Sequence, residues 1–225
     1  MSSTRIDDAV QRLEQNLPLR RNQMRLPESL RQLHQSILRH YLENGQAPAA
    51  NEIDYAGDLE SAIQRLAADR IIVLGQSGAI TGAYPFVDEA REFRVVSDFG
   101  AANAMCVFDA LAISSMFALP TRIDSRCRIS GCRIVVEQND ASLHVAEPDT
   151  AVFGAIDWDA RDSAQSCSVS LCTEMMFIAG GDNAETWRDL NPASRELFTL
   201  NEAHALITTV FMPLMQPGQL SDKSA

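Results

Sequence analysis

The segment that constrains this chain most is GAANAMCVFDALAISSMFAL, Gly100 to Leu119. Apart from Asn103, Asp109, Ser114 and Ser115 it has no polar side chain to turn toward water. A helix that is apolar on every side has to be enclosed by the rest of the fold. The pattern predicts a buried helix, closely packed through its small residues and ended by Pro120. Asp109 is out of place there, because a buried carboxylate is costly unless it is paired or neutralised. Residues three apart share a helix face, so Cys106 and Asp109 put a thiol beside a carboxyl. The pair is either a core cysteine next to a hydrogen-bonded aspartate or a chemical site, and the segment alone leaves both readings open.

A chain of 225 residues can enclose such a helix, as one medium domain or as a small domain joined to a larger one. The net charge of −11 opposes long-range attraction to nucleic acid. No apolar run approaches the roughly 20 residues of a membrane span. The N-terminus, MSSTRIDDAVQRLEQNLPLRRNQ, has no signal-peptide core. It reads as an amphipathic helix with Ile6, Val10, Leu13 and Leu17 at helical spacing. A cytoplasmic location is the expectation, with no membrane partner. In that compartment the five cysteines are expected to be thiols, and their odd number prevents full pairing within the chain.

Residues 27–86 have the order of a winged-helix-like unit. PESLRQLHQSILRHYLENG is a helix started by Pro27 and ended by Gly45. PAANEIDYAG reads as a short second helix, and DLESAIQRLAADR as a third with Asp58 as N-cap. IIVLGQSGAITGAYPF then alternates about a Gly-containing turn, as a hairpin does. Such a unit can place a helix in a DNA groove. Here the third helix carries Asp58, Glu60 and Asp69 against Arg65 and Arg70, a poor phosphate-facing surface. A helical module packed on the rest of the chain is favoured, and no nucleic-acid partner is expected.

After Phe86 the pattern becomes short β-type runs: REFRVVSD, TRIDSRCRIS, CRIVVEQ, ASLHVAEP, AVFGAIDW, AQSCSVSLCTEMMFIAGG and RELFTL. NAETWRDL is a short helix, and Asn201 is read as the cap of a last helix, EAHALITTVFMPLM. The expected fold is α+β: an N-terminal winged-helix-like helical region, then a mostly antiparallel sheet packed with a buried helix. The expected divisions are a helical extension over 1–26, the winged-helix-like domain over 27–86, a catalytic domain over 87–216 and a loose tail over 217–225.

Strand alternation sorts the remaining cysteines. Cys127 shares a face with Ile123 and Ile129, Cys132 with Ile134 and Val136, and Cys167 with Val169 and Leu171. All three read as small buried hydrophobes. Cys172 points the other way, with Ser168, Ser170 and Glu174, which makes it the better site candidate. Five-residue separations put Cys127 and Cys132, and likewise Cys167 and Cys172, on opposite strand faces. No zinc-finger spacing is present, the four histidines form no metal or triad pattern, and GQSGAITG lacks the Lys-Ser/Thr of a phosphate loop. Trp158 and Trp187 read as packing residues.

Five stretches resemble the alkylmercury (organomercurial) lyase family: MCVFDAL, SRCRISG about twenty residues on, VAEP, LCTEMMFIAGGDNAETW and LNEAHAL, over a region from about Arg91 to Met215. The resemblance implies that Cys106, Asp109 and Cys172 are the catalytic set and that Cys127 is a buried structural cysteine. It implies a lyase of mercury detoxification that cleaves a carbon–mercury bond by protonolysis and needs no organic cofactor. Cys106 and Cys172, with Asp109 beside them, would hold the mercury, and Asp109 would carry the proton. Thiolates suit a soft, thiophilic metal, and a carboxyl in an apolar setting has the raised pKa that proton transfer near neutrality needs. The implied partners are an organomercurial substrate and low-molecular-weight thiols or a mercuric reductase that take Hg(II) away. Two other functions use the same residues: a non-enzymatic thiol protein that binds Hg or Cu, and a metal-responsive transcriptional regulator.

Overall fold

The computed structural model describes residues 2–216. The tail expected over 217–225 lies outside the described residues. Two helices, α1 (Ser2–Asn16) and α2 (Leu19–Met24), lead into α3 (Glu28–Asn44). Leu30, Leu33, Ile37, Leu38 and Leu42 form the buried face of α3, and its Tyr41 ring stacks on Phe86 at 5.5 Å. Gly45 ends α3 in the left-handed region, at φ 72°. A Cβ there would stand 2.4 Å from the Ala101 carbonyl oxygen, so only glycine allows the end of α3 to dock where it does.

The second helix expected over 48–57 is only a single 3-10 turn, Ala50–Glu52. The third, α4 (Leu59–Ala68), forms as expected, with Asp58 accepting from the Ser61 N–H. The hairpin forms from β1 (Ile72–Leu74) and β2 (Ile80–Ala83). It is continuous with the sheet of the C-terminal region rather than a separate wing. Through β3 (Phe86–Val87), β2 joins β5 (Gly100–Ala104), which pairs on its other side with β4 (Phe93–Ser97).

After β5 come α5 (Val107–Phe117), β6 (Thr121–Arg126), β7 (Arg133–Asn139) and β8 (Ser142–Glu147). One antiparallel sheet results, in the order β1-β2-β3-β5-β4-β6-β7-β8. A second antiparallel sheet places β9 (Val152–Asp157) between β10 (Met175–Ala179) and β11 (Arg195–Thr199). The helix α6 (Gly181–Asp189) links β10 to β11, and α7 (Leu200–Phe211) comes next. Its cap is Thr199 rather than the expected Asn201. The Thr199 hydroxyl accepts from the Glu202 N–H, and the Glu202 carboxylate accepts from the Thr199 N–H. This reciprocal pair satisfies two groups that a lone asparagine two positions later cannot.

The fold is thus mixed helix and antiparallel sheet, with a buried helix at its centre. That helix is α5, every residue of which except Phe117 is buried. It lies against α7, the large sheet and β10. Its start differs from the sequence reading: Gly100–Ala104 is a strand, and the helix begins only after Cys106. Phe108 meets Phe198 edge-on at 6.0 Å, and the absent side chain of Gly154 leaves the space that Phe108 and Ala203 fill. Fully burying a large apolar side chain is worth about 1.5–3 kcal/mol. Phe108, Leu111, Ile113 and Met116 together therefore outweigh the burial of one neutral carboxyl in the same helix.

Candidate active site

Cys106 sits where β5 hands over to α5. The Met105 N–H bonds the Pro85 carbonyl at 3.0 Å, which holds the end of the strand. Cys106 is the N-cap of α5, in extended conformation, and its sulfur accepts from the Asp109 N–H at 3.5 Å. Sulfur thus takes the place that a serine or aspartate oxygen usually fills. Asp109 is the third residue of the first helical turn. The two residues are adjacent as expected, though as a cap and its partner rather than as neighbours on a continuous helix.

Cys172 arrives differently from the expectation. Residues 166–174 are not a strand. They form two 3-10 turns, Cys167–Val169 and Leu171–Glu174, joined at Ser170 with φ −130° and ψ −99°; β10 begins only at Met175. The alternation argument therefore does not apply to this stretch. Cys172 is 2 % exposed, not on a polar face. Cys167 does not face away from it, since the two sulfurs are 3.6 Å apart. The irregular backbone turns both thiols inward.

The outcome is a group of three buried residues, Cys106, Asp109 and Cys172, whose ligand atoms all lie within 4.8 Å of one another. The Cys106 thiol also lies 3.5 Å from the Met175 sulfur. Burial pushes the Cys106 thiol up to about 11. Burial also raises the Asp109 carboxyl to about 7, although its hydrogen bond with Cys106 and the charge of Arg91 pull it down. Cys172 is raised as well, first because it donates to Cys106 and Cys167. The site at rest therefore holds thiols and a carboxyl that loses its proton near neutrality.

Two residues that sequence reasoning passed over frame the group. Arg91 donates from one nitrogen to the Met105 carbonyl at 3.2 Å and to the Ser168 carbonyl at 2.8 Å. It thereby fastens the chain segment before Cys106 to the one before Cys172. Tyr84 is buried beside the site, and its hydroxyl accepts from the Ser168 N–H at 3.0 Å. No sequence spacing announces either residue, because both act on backbone far away in the chain. A cavity of about 280 Å³ opens onto Cys172, with Phe93 and Met105 as its apolar side chains and Glu89, Arg91, Glu92 and Arg128 as its charged ones.

The other cysteines are placed apart. The Cys127 sulfur accepts from the N–H groups of Ala179 at 3.3 Å and Ser130 at 3.4 Å, joining the large sheet to the small one. Burial raises its pKa, but those N–H groups bring it below the ordinary value. Cys132 is only half-buried, with the Ser130 hydroxyl 3.2 Å from its sulfur, so the expectation of a core position holds in part. Trp158 and Trp187 are both buried packing residues. Among the described residues, no helix is long and apolar enough to cross a membrane.

The family model described as alkylmercury lyase matches residues 86–212, just over half of the chain. An alkylmercury lyase of Bacillus cereus is 27% identical over 94 residues. One of Clostridium butyricum matches to the same degree. Each match spans 42% of this chain and 42% of the relative, so less than half the length of these curated relatives is covered. A solved structure, the mercury-bound form of MerB2, superposes with a TM-score of 0.67 at 20% identity. The superposition covers 91% of this chain and 98% of that one, so the two share a fold.

Proposed function

The chain belongs to the alkylmercury lyase family, and we propose that it cleaves carbon–mercury bonds by protonolysis at Cys106, Asp109 and Cys172. The observation that carries this reading is the buried group itself: two sulfurs and a carboxyl oxygen within 4.8 Å, at the end of a cavity. Two thiolates are natural ligands for mercury. Phe93 and Met105 give the otherwise charged cavity an apolar side for a methyl or phenyl group, and Asp109 with a pKa of about 7 can both accept and return a proton.

The steps balance without a redox change. One thiol loses its proton to solvent and bonds R–Hg⁺. Asp109 takes the proton of the second thiol, whose sulfur then bonds mercury as well. Electron density from two sulfurs weakens the mercury–carbon bond, and protonated Asp109 delivers its proton to carbon. R–H leaves, and Hg(II) remains on the two thiolates. Arg91 and the α5 N-terminus hold the reacting groups in place, and burial excludes water from the carbon being protonated. No organic cofactor enters these steps. Low-molecular-weight thiols or a mercuric reductase would receive the product.

The reduced protein is expected to release benzene from phenylmercury, read by gas chromatography. Cys106→Ser or Cys172→Ser is expected to lower the rate roughly 1,000-fold or more, as loss of a reacting nucleophile does. Stoichiometric binding of mercury by the intact protein with no hydrocarbon would instead support a thiol protein that only stores the metal.

A further inference from the structure

Cys167 has no part in the cleavage just described, yet it brings a third sulfur up to Cys172. Its sulfur is 3.6 Å from that of Cys172, which in turn lies within 4.8 Å of that of Cys106. Two thiolate–metal bonds of about 2.3 Å each, the length seen for zinc, span at most about 4.6 Å. At 3.6 Å, Cys172 and Cys167 can share one metal ion as they stand, and Cys106 and Cys172, within 4.8 Å, come within a few tenths of an ångström of that limit or inside it. Cys172 and Cys167 meet different cavities. Cys172 lines the one that also contains Arg91, Phe93 and Met105. Cys167 lines another, of about 240 Å³, with Ser166, Tyr84, Arg70 and Leu17. The two cavities have no lining residue in common.

We propose that Cys167 and Cys172 form a second dithiol site for Hg(II), onto which the metal moves after cleavage and from which small thiols remove it through the cavity beside Cys167. This rests on the function proposed above. In the first exchange the Cys167 sulfur bonds mercury while the bond from mercury to Cys106 breaks, and the proton leaving Cys167 restores the Cys106 thiol. In the second, two small-molecule thiols bond mercury and pass their protons to Cys167 and Cys172. Mercury stays Hg(II) throughout. The first exchange frees Cys106 and Asp109 before the metal has left, so the hydrocarbon-releasing pair is cleared without a thiol having to enter the substrate cavity.

The test uses Hg(II) itself, so it does not depend on carbon–mercury cleavage. Cys106→Ser and Cys106→Ser/Cys167→Ser are each loaded with one Hg(II) and dialysed against glutathione, with folding checked by circular dichroism. The first variant is expected to hold mercury through two sulfurs, by X-ray absorption. The second should hold it roughly 100-fold or more weakly, since losing a ligand costs more than the 10–100-fold of losing an outer partner. Equal retention by the two variants overturns the second site. Cys167→Ala replaces the serine variant if the latter does not fold. In the otherwise native chain, Cys167→Ser should release loaded Hg(II) to glutathione at least about tenfold more slowly, and an unchanged rate overturns the transfer. Failure of the cleavage reading would appear separately, as no benzene from the native protein.

Discussion

Two buried polar clusters in this molecule have opposite designs. The first joins α2 and α3 to the C-terminal 3-10 turn. Gln23 donates to the Leu214 carbonyl at 2.8 Å and to His34 Nδ1 at 2.9 Å, and Gln35 donates to the same carbonyl at 2.9 Å and to that of Gln216 at 3.1 Å. Burial lowers His34 to a pKa of about 3, so it stays neutral at any ordinary pH. Both glutamine amides end on backbone carbonyls, which ties these elements together, while His34 Nε2 is buried without a hydrogen-bond partner among the described residues. The second cluster is Cys106, Asp109 and Cys172. Its thiols face one another and the Met175 sulfur, poor partners for a hydrogen bond, and burial pushes its acids toward their neutral forms. Its groups are expensive to ionise and bond mainly to one another through sulfur, rather than to backbone carbonyls. The difference teaches that polarity in a core is not evidence for chemistry; what matters is whether the fold itself supplies the partners.

The contrast breaks most visibly at Asp109. In the Asp109→Asn variant, hydrocarbon release should fall at least about 100-fold, since the proposed proton carrier is gone. Yet the variant should be more stable than the native protein at pH 8. The native carboxyl holds its proton up to about pH 7, against 3.8 as its ordinary value, so the fold binds more protons than the unfolded chain between those limits. Native stability therefore falls as pH rises from about 4 to 7, by at most about 4 kcal/mol. Asparagine does not ionise and escapes this loss. Urea titrations at pH 5 and pH 8 should show the gap widening with pH; a variant less stable at pH 8 than at pH 5, relative to native, would contradict the assignment.

Arg91 tests the positioning of the same cluster. Arg91→Met removes the guanidinium that ties the Met105 carbonyl to the Ser168 carbonyl, and the release rate should drop roughly 10–100-fold through misplacement of the thiols. A drop in kcat with little change in the mercury held per protein would separate positioning from simple loss of fold. Gln23→Leu is the mirror experiment in the other cluster. It should cost about 1–3 kcal/mol in urea unfolding while the rate per folded molecule stays within about twofold. Cys132→Ser should be the smallest change, within about 0.5 kcal/mol and without effect on rate, because its half-exposed sulfur belongs to neither cluster.

The sequence carries the two designs unequally. Regular elements are legible because their packing is periodic: the helix α3, the Asp58 cap of α4 and the strands β6 to β9 all form as read. Residue type and family resemblance single out Cys106, Asp109 and Cys172, the proposed site, but not their geometry. Bringing two thiols and a carboxyl to one buried point requires the chain to leave regular structure, at the strand-to-helix junction before Val107 and in the paired 3-10 turns of 166–174. Periodicity has nothing to say where there is no period. It therefore extends α5 backward over β5 and reads the turns as a strand, which hides the contact between Cys167 and Cys172. Arg91 and Tyr84 are invisible for another reason, since their partners are backbone groups that only the tertiary fold brings near.

The most direct test of the central claim is the origin of the hydrogen that ends up on carbon. Reduced protein exchanged into D₂O and given phenylmercury should release benzene carrying one deuterium, and Asp109→Asn should nearly abolish that release while mercury still binds. Benzene without deuterium, or phenylmercury held on the thiols with its carbon–mercury bond intact in the native protein, would contradict protonolysis at Cys106, Asp109 and Cys172.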